Sequence, residues 1–404
     1  MNRLANPPLP PVAQDSGRMG RTAALWLQAS ILVAYLAAST APSPLYALYR
    51  EAWGFSALTL TLIFSTYAFT LLAALLFFGA LSDQRGRREV VIVSLVLEFV
   101  SILVFRHADS VAWLVAARAL QGVATGIATS ALSAGMQDLH RERGALLNSI
   151  APLLGMGAGA LGAGALAQFA PSPTRLVFDV LLAILAAQTL GAFWLPETVA
   201  KQPGALAAMK PQLAVPRRAR ATLWQVLPVN TAQWALGGFY ASLGPSLARI
   251  VTGVHSPLLG GGVVAALVLS GAVAILFVRA RPARVALASG TAALVIGLAA
   301  TLAGVQLHST AAFFAGSVIA GLGFGAAFNG TLRSLVPLAE AHERAGLMST
   351  FFVLSYLAFS VPAIVAGLLA GRFGLQAAST GYALLLVVLG CVALAMLARR
   401  KDAE

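Results

Sequence analysis

Residues 79–88 read GALSDQRGRR and form a short polar connection between two long apolar runs. The runs on either side, 58–78 and 89–106, are each close to the length of about 20 residues that a helix needs to cross a membrane. Two glycines, an acid and paired arginines within so short a segment indicate a tight turn held at the membrane surface. This segment therefore indicates a membrane protein in which short polar turns connect long apolar helices.

The composition excludes most soluble classes of protein. Of the 404 residues, 59% are hydrophobic and only 10% are charged, whereas soluble domains average about 45–50% apolar and about 25% charged residues. One globular core cannot bury this excess and still present a polar surface. A soluble enzyme, a disordered scaffold and a coiled coil are all poor explanations. The single Cys391 excludes an intramolecular disulfide framework.

Apolar runs of membrane-crossing length recur along the whole chain. They predict an all-α membrane protein with twelve transmembrane helices, each of about 20 residues. The predicted spans are 22–41, 58–78, 89–106, 111–134, 146–169, 174–195, 225–248, 257–278, 285–305, 310–334, 346–370 and 376–398.

The net charge of +13 is explained by topology. If the N-terminus is cytoplasmic and the spans alternate, most of the 27 Lys and Arg residues fall in cytoplasmic segments. These basic residues are scattered between apolar runs, whereas a nucleic-acid-binding surface needs them gathered on one face of a polar domain. We expect an integral protein of a bacterial inner membrane with both termini in the cytoplasm. The basic residues on the outer side are Arg50, Arg106, Arg175, Arg249 and Arg372.

The chain divides into two halves that repeat weakly. Gly122 matches Gly323 and Pro44 matches Pro245 at one common offset, close to half the chain length. The same offset relates the Glu-Arg pairs at 142–143 and 343–344, which disfavours chance. The predicted segments are a cytoplasmic tail 1–21, a six-helix bundle 22–198, a cytoplasmic linker 199–222, a second six-helix bundle 223–398 and a cytoplasmic tail 399–404.

The segment 79–88 resembles the signature loop of the major facilitator superfamily, and the resemblance covers the whole chain. It implies two pseudo-symmetric six-helix bundles with a substrate site between them, and it implies that the loop gates alternating access. Gly79 would allow close helix approach and Asp83 would cap or pair across the interface. Gly86 would turn the chain. The predicted gating residues are Gly79, Asp83, Gly86, Arg87 and Arg88.

Two parts of the loop pattern differ from the family. The basic residue usually found directly after the acid is Gln84 in this chain, so Arg85 is expected to take its place. In the equivalent loop of the second half, Ala280 replaces the glycine and Arg284 replaces the acid. The segment Leu195–Thr198, which reads LPET, is a further common feature of the family.

The fourth and fifth spans resemble two further family motifs. Arg118 and Gln121 in the fourth span resemble a motif whose arginine is implicated in proton transfer. The glycine series of the fifth span is similar to a motif associated with drug/proton antiporters, but Ala160 stands where a proline is expected and Ala163 where a glycine is. Close helix packing alone also explains such a series. The glycines are Gly155, Gly159, Gly162 and Gly164.

Charged residues inside the predicted spans are candidates for proton coupling, because ionisable groups are costly there. At 1.5 Å per residue, Glu98 and Arg118 lie about 12 and about 10.5 Å below the outer surface. We expect them to form a buried pair whose protonation is coupled to transport, with a static structural pair as the alternative. Asp179 lies about 7.5 Å below the same surface, five residues into the sixth span, and could join them.

By the family plan, spans one, four, seven and ten line the central cavity. Their lining is apolar and aromatic with few polar groups, which suits a drug-sized organic ligand. For each position taken alone, packing is a better explanation than contact with a ligand. The predicted cavity residues are Gln28, Tyr35, Ser39, Gln121, Thr125, Asn230, Gln233, Trp234, Tyr240, Phe324, Phe328 and Asn329.

The sequence favours a monomeric secondary transporter that exports small organic or drug-like molecules in exchange for protons. Proton-coupled uptake of a metabolite, such as an organic anion held by Arg118, is the alternative within transport. A membrane receptor or assembly partner that does not transport is the alternative from another class. An enzyme is disfavoured because no hydrolase elbow, phosphate loop or metal-spaced cluster is found. We expect no cofactor, metal or nucleic acid, and the partners are substrate, protons and lipid.

Overall fold

The structure is a computed structural model that describes residues 19–202, 210–211, 213–340 and 342–399. Most of the predicted tail 1–21, part of the predicted linker 199–222 and most of the predicted tail 399–404 lie outside these residues. The two six-helix bundles predicted on either side of the linker lie almost wholly within them.

The described residues contain fifteen α-helices, one short 3-10 helix (Val336–Leu338) and no strand. The α-helices are α1 (Arg21–Thr40), α2 (Pro42–Trp53), α3 (Ala57–Phe78), α4 (Leu81–Arg85), α5 (Arg87–Arg106), α6 (Val111–Leu139), α7 (Arg141–Phe169), α8 (Leu176–Ala192), α9 (Arg217–Ser242), α10 (Gly244–Thr252), α11 (Pro257–Val278), α12 (Ala283–Gln306), α13 (Thr310–Leu335), α14 (Arg344–Phe373) and α15 (Leu375–Arg399).

Nine helices within the described ranges are long and apolar enough to cross a membrane, with α1 and α2 taken as one. The other crossings are α5, which carries charges at both ends, α8, which is shorter, and α9, which begins with basic residues. Each of these three helices must cross the membrane, because the segments before and after it lie on opposite sides. The prediction of an all-α membrane protein with twelve transmembrane helices is confirmed.

Helix ends differ from the prediction at several places, three of which involve α2, α9 and α10. Helices α2 and α10 are separate extensions of the first and seventh spans, and each ends at a left-handed glycine, Gly54 and Gly253 (φ 66° and 67°). Glycine accepts this conformation without a Cβ clash. Helix α9 begins at Arg217, inside the predicted linker 199–222, because basic residues can extend a helix beyond the hydrocarbon into the polar headgroups.

The turns lie on two sides of the bundle. The linker side holds residues 79–86, 140, 193–202, 210–211, 213–216, 279–282, 336–340 and 342–343. The opposite side holds residues 54–56, 107–110, 170–175, 253–256 and 307–309. Between the two sides, large apolar side chains such as Phe277 and Ile296 are exposed, at 75% and 60%. An apolar surface of this kind suits contact with lipid.

Glycines bring helix backbones together inside each half. A Cβ at Gly122 of α6 would lie 2.3 Å from the carbonyl oxygen of Tyr67 in α3, and a Cβ at Gly321 of α13 would lie 2.1 Å from that of Leu267 in α11. The structural counterpart of Gly122 is therefore Gly321. The sequence match of Gly122 with Gly323 is wrong here, because Gly323 faces α12.

The two halves meet mainly towards the opposite side. Arg249 of α10 forms an ion pair with Glu51 of α2, and the Ser256 hydroxyl donates to Gln168 Oε1 at 2.5 Å. Gly261 of α11 lies against the carbonyl of Ala160 in α7, where a Cβ would be 2.1 Å from the oxygen. On the linker side, the ion pairs of the described residues each stay within one half or join it to the linker. The structure is thus closed on the opposite side.

Candidate functional site

Arg118 of α6 is a fully buried cation held by neutral partners. Its Nε donates to the Tyr46 hydroxyl at 2.6 Å, and its Nη1 donates to the carbonyl of Ser39 at 2.7 Å and to Gln121 Oε1 at 2.6 Å. Four rings surround the guanidinium carbon at 5.4–5.8 Å, within cation–π range. These are the rings of Tyr46, Phe64, Tyr67 and Phe105.

Glu98 of α5 is also fully buried, but the predicted direct pair with Arg118 is wrong. The described residues show no ion pair between them, and Glu98 Oε1 instead accepts from Gln121 Nε2 at 3.2 Å. Gln121 follows Arg118 by three residues on the same helical face, so its amide can accept from the arginine and donate to the carboxylate. Among the described residues, Glu98 Oε2 has no hydrogen-bond partner.

Asp179 does not join this network. It lies in the first turn of α8 and forms an ion pair with Arg106, the last residue of α5, and both side chains are at least one-third exposed. The prediction of a three-residue cluster is wrong because Arg106 lies at the same surface as Asp179 and offers a closer partner.

An aromatic path leads from Arg118 to the second half. Phe64 of α3, one of the four rings around Arg118, packs on Phe359 of α14 with ring centroids 5.1 Å apart. Phe359 in turn contacts Trp234 of α9 at 5.9 Å, and Trp234 contacts Tyr356 at 4.9 Å. The buried charges therefore lie one side chain away from the contact between the halves.

The predicted cavity residues fall into two groups. Four are partly exposed between the helices, namely Trp234, Phe324, Phe328 and Asn329. Eight are buried, namely Gln28, Tyr35, Ser39, Gln121, Thr125, Asn230, Gln233 and Tyr240.

Several buried members of this set are engaged with protein. Asn230 donates to Ser355 at 2.9 Å, and the Tyr240 hydroxyl shares a hydrogen bond with Ser317 at 2.8 Å. Buried polar groups of this kind hold helices together. Contact of all twelve residues with a substrate stays a prediction.

The loop 79–88 is held by charges within its own half. Arg87 Nη1 is 2.5 Å from Asp83 Oδ1 and 2.6 Å from the Ser82 hydroxyl, and Arg87 Nε is 3.3 Å from Asp138 of α6. Arg88 donates to the carbonyl of Leu195 at 3.5 Å. The expectation for Gly79 is not met, because only its own helix lies within 4 Å of a Cβ placed there.

Glu197, which follows α8, is a loop-holding residue that the sequence did not single out. Its carboxylate accepts the backbone N–H groups of Arg87 at 2.7 Å and Arg88 at 3.2 Å, and so caps the first turn of α5. Gly86 has φ 98°, and a Cβ there would lie 2.4 Å from Glu197 Oε2. The sequence signal for Glu197 was the segment Leu195–Thr198, which was interpreted from the sequence only as a common feature of the family.

The start of the linker lies against the same loop. Lys201 pairs with Glu89 at 2.5 Å, and the backbone N–H of Gln202 donates to the carbonyl of Gln84 at 2.9 Å. The connection between the halves is thereby attached to the first half at the signature loop.

The glycine series of α7 faces two different partners. Gly155 and Gly159 pack on α1 in the same half, whereas Gly164 packs on the carbonyl of Pro257 at the start of α11 in the other half. Gly162 is exposed with no atom within 4 Å of a Cβ, so its predicted packing role is wrong. Helix α7 therefore forms part of the contact between the halves.

No group of three or more metal-ligating side chains is found in the part of the chain that the structure describes. The arrangement is a buried charge network beside a contact between two helix bundles, which suits a conformational step better than covalent chemistry.

Comparison with known proteins agrees with this geometry. The family model of the Major Facilitator Superfamily matches residues 29–303. No curated protein matches the chain. The fold is similar to a bacterial homologue of the human lysosomal transporter Spinster in an inward-facing, unoccupied conformation, with a TM-score of 0.72, 15% identity, and 93% of this chain and 97% of that chain covered.

A second similar structure is the human organic anion transporter MFSD10 (TETRAN), with a TM-score of 0.62, 19% identity, and 93% of this chain and 100% of that chain covered. At these identities the structures establish the fold. The predicted major facilitator fold is confirmed, and it places the chain among transporters rather than enzymes. The chain is an integral membrane protein that belongs to the Major Facilitator Superfamily.

Proposed function

We propose that this transporter exports small organic molecules in exchange for protons by alternating access, and that Glu98 is the group that takes up and releases the proton. In the proposed orientation the linker side is cytoplasmic, in a bacterial inner membrane. The contacts on the opposite side then make the described conformation an inward-facing one.

The observation that carries the proposal is the incomplete pairing of Glu98. An ionised carboxylate removed from water costs several kcal/mol unless a charge or several hydrogen bonds compensate for it. Glu98 has one hydrogen bond from a neutral amide, and its Oε2 has no partner among the described residues. A carboxyl group held in this way can gain a proton without breaking an ion pair.

Protonation of Glu98 would reach Arg118 through Gln121. Loss of the carboxylate charge weakens the hydrogen bond from Gln121 and removes a nearby counter-charge of Arg118. Because Phe64 contacts both Arg118 and Phe359 of the second half, a shift of the guanidinium would alter the contact between the halves. This path gives protonation a route to alternating access.

The partly exposed residues favour an organic substrate with a flat apolar part. Trp234 and Phe328 lie with ring centroids 6.2 Å apart, next to Asn329 on the same helix as Phe328. Rings with a few polar groups are the usual lining of a drug-sized site. The resemblance of the α7 glycine series to the antiporter motif supports export.

Uptake of an organic anion is the second candidate. Arg118 Nη2 has no hydrogen-bond partner among the described residues, and one of the similar structures is an organic anion transporter. Because Arg118 is fully buried, an anion would reach it only after the surrounding rings move. The present geometry therefore favours the coupling role.

Proteoliposomes with an imposed pH gradient and a panel of cationic, neutral and anionic organic compounds test both candidates. Export predicts accumulation in inside-out vesicles when the lumen is acidic, with loss of accumulation after a protonophore is added. Accumulation of anions alone in right-side-out vesicles would support uptake instead. Binding of a compound without accumulation under any gradient would indicate a receptor and overturn both.

A further inference from the structure

A groove of about 520 Å³ lies on the outside of the first half, away from the buried charge network. It runs between α1, α7 and α8 and is lined almost entirely by small or apolar side chains. Trp26, Leu154 and Ile184 on its rim are exposed at 58%, 42% and 41%. Since these helices cross the membrane, the groove opens to the hydrocarbon of the bilayer.

One lining residue does not fit a purely apolar groove. Gln188 of α8 is 8% exposed, and its Nε2 donates to the Ser30 hydroxyl at 3.3 Å. The Ser30 hydroxyl already donates its proton to the carbonyl of Leu27 at 2.8 Å, so it can only accept from Gln188. The amide orientation is thereby determined, and Gln188 Oε1 is left as a buried acceptor with no partner among the described residues.

The position of Gln188 gives the groove a polar end and an apolar end. Gln188 is four residues before the end of α8, about 6 Å from the linker side at 1.5 Å per residue. The lining of α7 runs from Leu147 to Leu166, about 28 Å along the helix, which is close to the hydrocarbon thickness. Small residues leave room for a chain, with Ala158 and Gly159 near the centre and the exposed Gly162 towards the apolar end.

We propose that this groove binds the alkyl chain of a membrane lipid that carries a hydroxyl group near its head, and that Gln188 Oε1 accepts the hydrogen bond of that hydroxyl. An unpaired acceptor in a low-dielectric setting gains most from a donor. Water is a poor occupant because almost every other lining group is apolar. The site is separate from the proposed transport path.

The bound alkyl chain would contact α7, which also forms part of the contact between the two halves. Helix α7 lines the groove with Gly162 and Ala163, and it packs on α11 through Gly164. A bound chain would therefore stabilise the helix that supports the closed contact on the opposite side.

Photo-crosslinking tests the proposal on the full-length protein in proteoliposomes. The probe is 1-hexadecanol with a diazirine in the middle of the chain, and labelled peptides are identified by mass spectrometry. We expect labels on α1, α7 and α8. Unlabelled 1-hexadecanol should displace the probe about five-fold better than 1-methoxyhexadecane. The ether keeps the oxygen atom but cannot donate a hydrogen bond, so it lacks the one hydrogen bond that the alcohol makes to Gln188.

Two variants and one control sharpen the test. Gly162→Phe fills the groove without a protein clash and should reduce its labelling about ten-fold or more, since several methylene contacts are lost. Gly381→Phe is the control, because Gly381 of α15 also has open space around a Cβ and lies in the other half. Gln188→Leu should make the alcohol and the methyl ether equal competitors.

The proposal fails if labels spread evenly over lipid-facing helices such as α12 and α15, or if Gly162→Phe leaves the groove labelling unchanged. It also fails if the alcohol and the ether compete equally with the wild-type protein. This last comparison uses only the wild-type protein, so it tests the proposal even if a variant fails to fold.

Discussion

Glu98 and Arg118, two fully buried ionisable residues on adjacent helices, are bridged by the side-chain amide of Gln121. The amide accepts from Arg118 at 2.6 Å and donates to Glu98 at 3.2 Å. A bridge of this kind links the two charges but leaves one carboxylate oxygen without a partner in the described residues. Because no direct ion pair forms, the carboxylate can change its protonation state with less loss of structure.

Replacement of Glu98 by Gln should abolish transport driven by a pH gradient while substrate binding is retained. The amide keeps the shape of the side chain and its hydrogen-bonding capacity towards Gln121, but it cannot be ionised. Transport is measured in proteoliposomes and binding by a titration of the purified protein.

The matched control for Glu98→Gln is Glu89→Gln on the same helix. Glu89 is partly exposed and pairs with Lys201 outside the buried network. We expect Glu89→Gln to retain gradient-driven transport. If Glu98→Gln also retains it in full, Glu98 has no part in coupling.

Replacement of Gly261 by Ala should open the contact between the halves on the opposite side. The added Cβ would lie 2.1 Å from the carbonyl oxygen of Ala160, so the two helices have to separate. Overpacking of this kind costs about 1–3 kcal/mol, enough to change a two-state population about 5- to 150-fold. Distances between spin labels on the ends of α2 and α10 measure the shift.

Gly262→Ala is the neighbouring control for this change. A Cβ there meets only the Phe314 ring, at 3.7 Å, which is an ordinary contact. Equal distance distributions for the two variants would show that the contact between Gly261 and Ala160 does not hold the halves together.

Replacement of Glu197 by Ala should loosen the signature loop. Two backbone N–H groups at the start of α5 lose their acceptor, and loss of a helix cap costs about 0.5–2 kcal/mol. Faster hydrogen exchange is expected at residues 86–90. Glu142→Ala, at an exposed first-turn position of α7, should leave that exchange unchanged; faster exchange in both variants would show a general loss of stability instead.

Glu343 provides a pH test outside the membrane-spanning segments. The backbone N–H of Glu340, and then the guanidinium of Arg218, hold the pKa of the Glu343 carboxyl below its ordinary value. A lowered folded-state pKa stabilises the structure above the ordinary value of about 4.3, and that stabilisation is lost as pH falls through the folded-state pKa.

His342→Gln removes the imidazole that lies 3.7 Å from the Glu340 carboxylate. In this variant, local opening around residues 342–347 should be constant from about pH 8 to pH 5, above the ordinary glutamate pKa. Hydrogen exchange corrected for its intrinsic pH dependence measures it. Glu343→Gln should exchange faster across this range. A change in the His342→Gln protein within the range would mean that a group other than Glu343 controls this segment.

Most of the fold could be predicted from the sequence, but the site could be predicted only in part. Runs of apolar residues and the distribution of Arg and Lys predicted the crossings. Depth arithmetic brought Glu98 and Arg118 to one level of the membrane, and the structure places both in one network. It could not show that Gln121 stands between them, because the rotation of each helix about its axis is not determined by depth.

The misassigned residues show the same limit. Asp179 was grouped with Glu98 by depth, yet it pairs with Arg106 at the surface. Gly162 was grouped with its neighbouring glycines by spacing, yet it faces the lipid side. Depth and spacing locate a residue along a helix, whereas its partners depend on which helix packs against that face.

The sequence by itself determined that this chain is a membrane protein of twelve helices with a major facilitator signature, because hydropathy and motif spacing act over short stretches of chain. Only the tertiary structure showed that Glu197 caps α5, that Gln121 bridges two charges, and that Gln188 leaves an acceptor in a lipid-facing groove. Those relationships join residues far apart in the chain, so they exist only once the helices have packed.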